Sequence, residues 1–228
     1  MSTDGSQKRV NLQSVAEEAG VSRATASLVL RESPLVSAET RKRVIAAMHK
    51  LGYIYNRGAA NLRRQKTGTI GVVLCNIGSP FYSKLLIGID EVFAEAGIVA
   101  LLVNSAENTE RQMRQIWRLR EHGVDGLIIC PAVGSDETLL SEIEKTGLPY
   151  VQVLRHVSPT AGDYVGPDYA GGTDLAVSHL VRHGRRKIAF LGGNPVHSAA
   201  CERLEGFQRA LRRHCLESDL IVPPDLAN

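Results

Sequence analysis

The sequence is poor in the marks of several large protein classes. Its four cysteines, at 75, 130, 201 and 215, form no CxxC pair, so neither a zinc ribbon nor a disulfide framework is spelled out and reduced thiols are expected. No apolar run approaches the roughly 18 residues of a membrane span. The opening MSTDGSQKRV lacks an apolar stretch ahead of a small-residue cleavage site, so no membrane partner and a cytoplasmic location are expected. There is no GxSxG elbow and no P-loop, and Gly192-Gly193 lacks the further glycine of a dinucleotide fingerprint. His179 and His183 have the i, i+4 spacing of metal ligands, but no third ligand accompanies them. Neither an enzyme nor a cofactor or metal is expected.

What remains is an ordinary globular composition: 228 residues, 43% hydrophobic and 22% charged, enough for one large domain or two small ones. The charge is uneven. Residues 1–68 hold 12 Lys or Arg against 5 Asp or Glu, a net +7, whereas residues 69–228 carry a net −4. A basic head on a mildly acidic body points to a polyanion partner.

In the head, Leu12, Val15, Ala16 and Ala19 recur at i, i+3, i+4 and i+7, one apolar face of a helix. Gly20 stops it and Ser22 is placed to cap a second helix carrying Val21, Thr25, Ala26, Val29 and Leu30. Its other side shows Arg23, Ala24, Ser27 and Leu28. Two short helices joined at Ala19-Gly20-Val21-Ser22 have the layout of a helix-turn-helix. Ser37 can cap a third helix with Val44, Ala47, Met48 and Leu51, and Gly52 ends it.

The run VNLQSVAEEAGVSRATASLVL, followed by SPLVSAETRKRVIAAMHKLGYIYNRGAANLR, resembles the lactose-repressor (LacI) type of bacterial transcription regulators from Val10 to Arg63 without a gap. The resemblance implies double-stranded operator DNA as partner, read in the major groove by the second helix. Arg23 is long enough for a bidentate contact to guanine, and Ala24 can offer a methyl group. Ser22, Thr25 and Ser27 are cast as phosphate or mixed contacts, while Thr25 also fits a packing role. Leu28 stands where many members have Arg, and Arg31 where Asn is usual, which leaves the operator sequence open. Residues 56–67 resemble the family's hinge, a basic segment too short for a stable isolated helix and weakened further by Gly58. There Leu62 corresponds to a leucine wedged into a minor-groove step, with Tyr53, Asn56, Arg57 and Arg63 on phosphates.

Beyond Thr69 the pattern changes to short apolar runs, IGVVLC at 70, IVALLV at 98, GLIIC at 126, PYVQV at 149 and KIAFL at 187, separated by helical stretches that end at Gly97, Gly123, Gly147 and Gly184, the last of them with Leu175, Val177 and Leu180 as its apolar residues. This alternation predicts a parallel α/β sheet covered on both faces, with ligands at the carboxyl ends of its strands. TGTIGVVL, SPFYSKLLIGID, EHGVDGLIICP and ERLEGFQRAL are similar to the family's periplasmic-binding-protein-like core. By that likeness Ser79, Phe81, Tyr82 and Arg203 line the cleft of a small-molecule effector, a sugar or other polar metabolite. Phe81 and Tyr82 fit a packing start of their helix equally well. Leu154 stands where many members have Asp, with Arg155 next, which tilts the ligand toward anions.

The expected organisation is a disordered tail over 1–9, a helix-turn-helix domain over 10–55, a hinge over 56–68, a first lobe over 69–163 and a partial second lobe over 164–228. Members of the family continue well past this ending. The expected function is a dimeric, metabolite-controlled repressor on a palindromic operator. The alternatives are a short form with impaired dimerisation or effector response, and a metabolite-binding α/β protein with an accessory basic head.

Overall fold

A computed structural model describes residues 10–31, 33–54, 66–158, 160–192, 196–217 and 221–222, in two units that divide between residues 65 and 66. In the first unit, α1 (Leu12–Glu18), α2 (Arg23–Leu30) and α3 (Ala38–Leu51) follow one another. Each begins on a polar side chain that satisfies an otherwise orphaned amide. Asn11 Oδ1 accepts from Ser14 at 3.0 Å, Ser22 Oγ from Thr25 at 3.0 Å and Ser37 Oγ from Thr40 at 3.3 Å, caps worth about 1 kcal/mol each. Helix α1 ends where Gly20 takes φ +62. The Gly20 and Val21 amides then donate to the Glu17 and Ala16 carbonyls, a closing turn that favours glycine. The core is Val15, Ala16, Ala19, Ala26, Val29, Val44 and Ala47, with Leu12, Val21, Val36, Met48, Leu51 and Tyr53 at its margin.

The second unit opens with β1 (Thr69–Leu74), α4 (Pro80–Ala96), β2 (Val99–Asn104), α5 (Thr109–Glu121), β3 (Gly126–Ile129), α6 (Glu137–Thr146), β4 (Tyr150–Val153) and β5 (Asp163–Val165). All five strands run parallel in the order β2-β1-β3-β4-β5. β1 sits inside the sheet, Val72 facing Leu102 on one side and Ile128 on the other. Its alternate side chains feed two cores. Val73 packs with Ile116, Leu119, Ile129 and Ile143 beneath α5 and α6, whereas Val72 and Leu74 pack with Tyr82, Cys130 and Val153 beneath α4. That is the two-sided burial a parallel sheet requires.

The chain continues through α7 (Tyr169–Arg182), β6 (Phe190–Leu191), α8 (Ser198–Arg213) and β7 (Ile221–Val222), with β6 and β7 paired in a separate parallel sheet. Helices α7 and α8 lie side by side because Gly206 lacks a side chain: a methyl there would collide with the Ala170 carbonyl. Val177, Ile188, Phe207, Ala210 and Leu211 form their shared core.

Three expectations need adjusting. The run KIAFL yields only the strand Phe190–Leu191, because the ladder's described partner is the two-residue β7 and Ile188 turns into the helical core. In α7, Leu175 and Leu180 are exposed while Asp174 and Val177 are buried, since the face turned to α8 lies one position away from the leucines. The first sheet also runs through Val165, two residues past the boundary drawn at 163.

Candidate functional site

Two surfaces carry the described candidate residues. On the first unit, α2 buries Ala26 and Val29, which leaves Ser22, Arg23 and Ala24 exposed on its opening turn. Ser22 and Thr25 also share a hydroxyl contact of 2.9 Å, so the half-buried Thr25 both packs and fixes the helix start. Ser27 is half-buried and its carbonyl accepts from Arg31 Nε at 3.2 Å. Arg23 therefore stands as a long, exposed cation at a helix N-terminus, where amide dipoles already favour an anion.

The turn that presents this helix is gripped from behind. Arg43 Nη2 donates to the Ala19 carbonyl at 2.6 Å and to Gly20 at 3.1 Å, and Arg41 Nη2 donates to Ser33 at 2.8 Å. Both arginines belong to α3, so two of the head's cations hold its backbone. Sequence reasoning missed these clamps, for basic residues on a short helix read as solvated charge until the turn is seen opposite them. Tyr53, named as a phosphate anchor, is half-buried against the head core. Asn56, Arg57, Leu62 and Arg63 lie outside the described residues.

The second surface lies at the carboxyl ends of β1 to β5. Ser79 precedes α4 with its side chain free of a capping bond. The two aromatic rings after it divide: Phe81 is 52% exposed, while Tyr82 is buried with its hydroxyl 3.7 Å from Cys130 Sγ. Burial first, and then the neighbouring Cys130, push the Tyr82 phenol upward. Arg155 follows β4 and pairs with Glu107, which follows β2, at 3.0 Å. Glu107 also accepts from the Val133 amide at 2.9 Å, so one carboxylate ties together the loops after three strands. Burial pulls Glu107 up, but Arg155 and that amide outweigh it and hold the carboxyl below its usual range. Ala106, Glu107 and Leu154 all take positive φ, at 53°, 55° and 64°, a strained backbone of the kind found at binding sites.

Helix α8 supplies the facing groups. His156 Nε2 lies 3.0 Å from Glu202 Oε1, and the His156 amide donates to Ser198 Oγ at 2.9 Å. Arg203 rests 4.9 Å from the centroid of the Tyr169 ring, a cation–π contact. His197 is held below its ordinary value by burial, then by the charges of Arg155 and Arg203, which places both guanidiniums in its electrostatic reach. Tyr164, between the same elements, is pushed up to about 12, first by burial. Glu107, Tyr169 and Glu202 were not anticipated. The signal for Glu107 was present as the first charged residue after the IVALLV strand. Among the described residues no group of three or more His, Cys, Asp or Glu is placed to hold a metal, and no helix is long and apolar enough to cross a membrane.

A capped helix-turn-helix on one unit, and a parallel sheet whose carboxyl ends face charged and aromatic groups on the other, define a class of two-part binding protein. The chain belongs to the LacI family of bacterial regulatory proteins. Residues 11–56 match the model of bacterial regulatory proteins of the lacI family, and residues 67–223 match the model of periplasmic binding proteins and the sugar binding domain of the LacI family. It is 34% identical over 200 residues to the maltose regulon regulatory protein MalI of Escherichia coli (strain K12), covering 88% of this chain and 58% of that one. It is 32% identical over 205 residues to catabolite control protein A of Priestia megaterium, covering 89% and 61%. Among solved structures it is similar to the lac repressor dimer bound to operator and the anti-inducer ONPF, with TM-score 0.80, 29% identity and coverage of 95% of this chain and 66% of that one. A CelR–cellobiose complex matches at TM-score 0.61 and 30% identity, covering 94% and 65%. The chain thus spans about three-fifths of the length of the curated relatives it matches.

Proposed function

We propose that the chain is a sequence-specific DNA-binding transcription regulator, a repressor controlled by a small polar metabolite, acting in the cytoplasm as a dimer on a palindromic operator. The observation that carries this reading is the opening turn of α2, where Ser22, Arg23 and Ala24 are exposed while Ala26 and Val29 behind them are buried. A recognition helix enters the major groove by that end. Arg23 reads a guanine edge, Ala24 offers a methyl contact, and Ser22, Thr25 and Ser27 meet the sugar-phosphate backbone. Tyr53, Asn56, Arg57 and Arg63 add phosphate contacts and Leu62 wedges a central step.

The effector site is assigned to the carboxyl ends of the first sheet, with Ser79 and Phe81 on one side, Arg203 on the other, and Tyr82 supporting the floor through its hydroxyl. A half-exposed aromatic ring and an oriented guanidinium suit a polar ring compound. The dimer is supported by exposed apolar side chains on two touching elements, Ile87 and Val92 on α4 and Val99 and Leu102 on the edge strand β2, which a second copy would cover.

Selection of sites from random duplex DNA by the full chain, with affinities repeated at two salt concentrations, tests the reading. A palindrome with a flexible centre and a steep salt dependence is expected. Arg23→Ala should relax one operator position by about 1–3 kcal/mol. Recovery of half-sites alone would remove the dimer from the proposal, and salt-independent or absent DNA binding would remove the regulator.

A further inference from the structure

Helix α5 buries Gln112, Ile116 and Leu119, which turns Arg111, Arg114, Trp117 and Arg118 to solvent. Trp117 is the chain's one tryptophan and is 44% exposed, although an indole is among the side chains with most to gain from burial. Its neighbours are also unengaged. Arg114 reaches Glu110 at 3.7 Å with both side chains well exposed, a pair of little energetic weight. Among the described residues, the side chains of Arg111 and Arg118 have no hydrogen-bond or ion-pair partner. Steps of three and four residues place all four side chains on one stripe, about 10 Å long at the helical rise.

We propose that this stripe is a docking site for an acidic segment of a partner protein. Carboxylates of the partner pair with the three guanidiniums, whose forked donors match them two by two, and an apolar side chain between them covers the indole. Tryptophan and arginine are the side chains that dominate binding energy when an interface excludes water around them. The chemistry selects the partner class. Glu110 and Glu121 close the two ends of the stripe and residues 69–228 carry a net −4, so a long polyanion such as duplex DNA is repelled on both sides where a short acidic segment fits. The head, at a net +7 over residues 1–68, has the wrong sign to occupy it.

Because Trp117 is the chain's one tryptophan, the selectively excited tryptophan emission of the full chain reports on this surface alone. Titration with a short Glu-rich peptide carrying one central Phe should shift the emission saturably at low salt. Binding should weaken several-fold when salt is raised to about 0.3 M, and about tenfold in the double variant Arg114→Glu, Arg118→Glu. Thermal unfolding checks the fold of that variant, and Arg111→Gln with Arg118→Gln provides a milder second pair. An emission unmoved by the peptide, or an equal response in both arginine variants, overturns the proposal. A larger response to duplex DNA of unrelated sequence assigns the stripe to nucleic acid instead. A shift that depends on protein concentration without any peptide assigns it to a second copy. Either result rejects the acidic segment, and neither bears on operator recognition by α2.

Discussion

Among the described residues of the head, every buried apolar side chain is valine or alanine, whereas the first sheet of the body is packed with leucine, isoleucine and an inward tyrosine. Small side chains remove little area from water, at roughly 25 cal/mol per Å². The head makes up the difference with directed polar contacts: a side-chain cap on each helix and two arginines bonded to backbone carbonyls. This division has a geometric logic. A unit that leaves one face of α2 exposed has few positions left for a core, and hydrogen bonds fix the helix-turn-helix angle where packing alone would leave it loose.

If that contrast is real, a large aliphatic deletion should hurt the body most. Ile143→Ala, at a fully buried position, is expected to cost about 2–5 kcal/mol, read as a lower denaturant midpoint of Trp117 fluorescence. A loss well under 1 kcal/mol would show that the core there can collapse, and the contrast would fail. Next, Arg43→Ala should weaken the head by about 2 kcal/mol, since it strips bonds from the Ala19 and Gly20 carbonyls. Faster amide exchange in α1 and α2 with an unmoved Trp117 transition is the expected pattern; slow exchange in the variant would reduce the clamp to a bystander.

A smaller effect is expected from Asp125, which accepts from the Thr67 amide at 2.7 Å and the Gly68 amide at 2.7 Å. Burial pulls its carboxyl up, but those amides prevail and hold it below the ordinary 3.8. Its contribution is therefore whole above that value and is lost as the pH falls below it through the lower folded value. Asp125→Asn should cost about 1–2 kcal/mol at neutral pH and flatten the acid limb of the stability curve. An unchanged acid limb would place the acid sensitivity elsewhere. The smallest effect belongs to Lys50→Ala. Its 2.6 Å bond to Glu18 lies on a side chain 69% exposed, so a change within about 0.5 kcal/mol is expected, and a larger one would mean that charge pairing, beyond the arginine–carbonyl bonds, holds the head.

Much of the architecture was legible because local chemistry and long-range packing agree. Ser22, Ser37 and Gly52 punctuate helices in the sequence and do so in the fold. The runs beginning at 70, 98, 126 and 149 become β1 to β4. Where they disagree the sequence misleads. Asp163–Val165, half polar and short, forms a strand because β4 offers it an open edge, and Leu175 and Leu180 look like core until the neighbouring helix is in place. The exposed opening turn of α2 was readable for the same reason as the helices, since Arg23 follows directly from the cap at Ser22. The charged cluster beyond the strand ends was legible only in part: Arg155 and Arg203 stand out in the sequence, but the pairing of Arg155 with Glu107 and of His156 with Glu202 joins segments distant in sequence, which only the fold brings together.

Residue 66 opens the second unit, and the chain then runs into β1, an interior strand paired on both sides. Ahead of it, Thr67 and Gly68 are fastened to Asp125, and the Thr67 hydroxyl to the Gly123 carbonyl at 2.8 Å. Mechanically this is a strong anchorage. Tension along β1 loads two ladders in shear, all their hydrogen bonds at once, where an edge strand would peel bond by bond. A pull delivered at this point is therefore shared between β2 and β3, the two strands that flank β1.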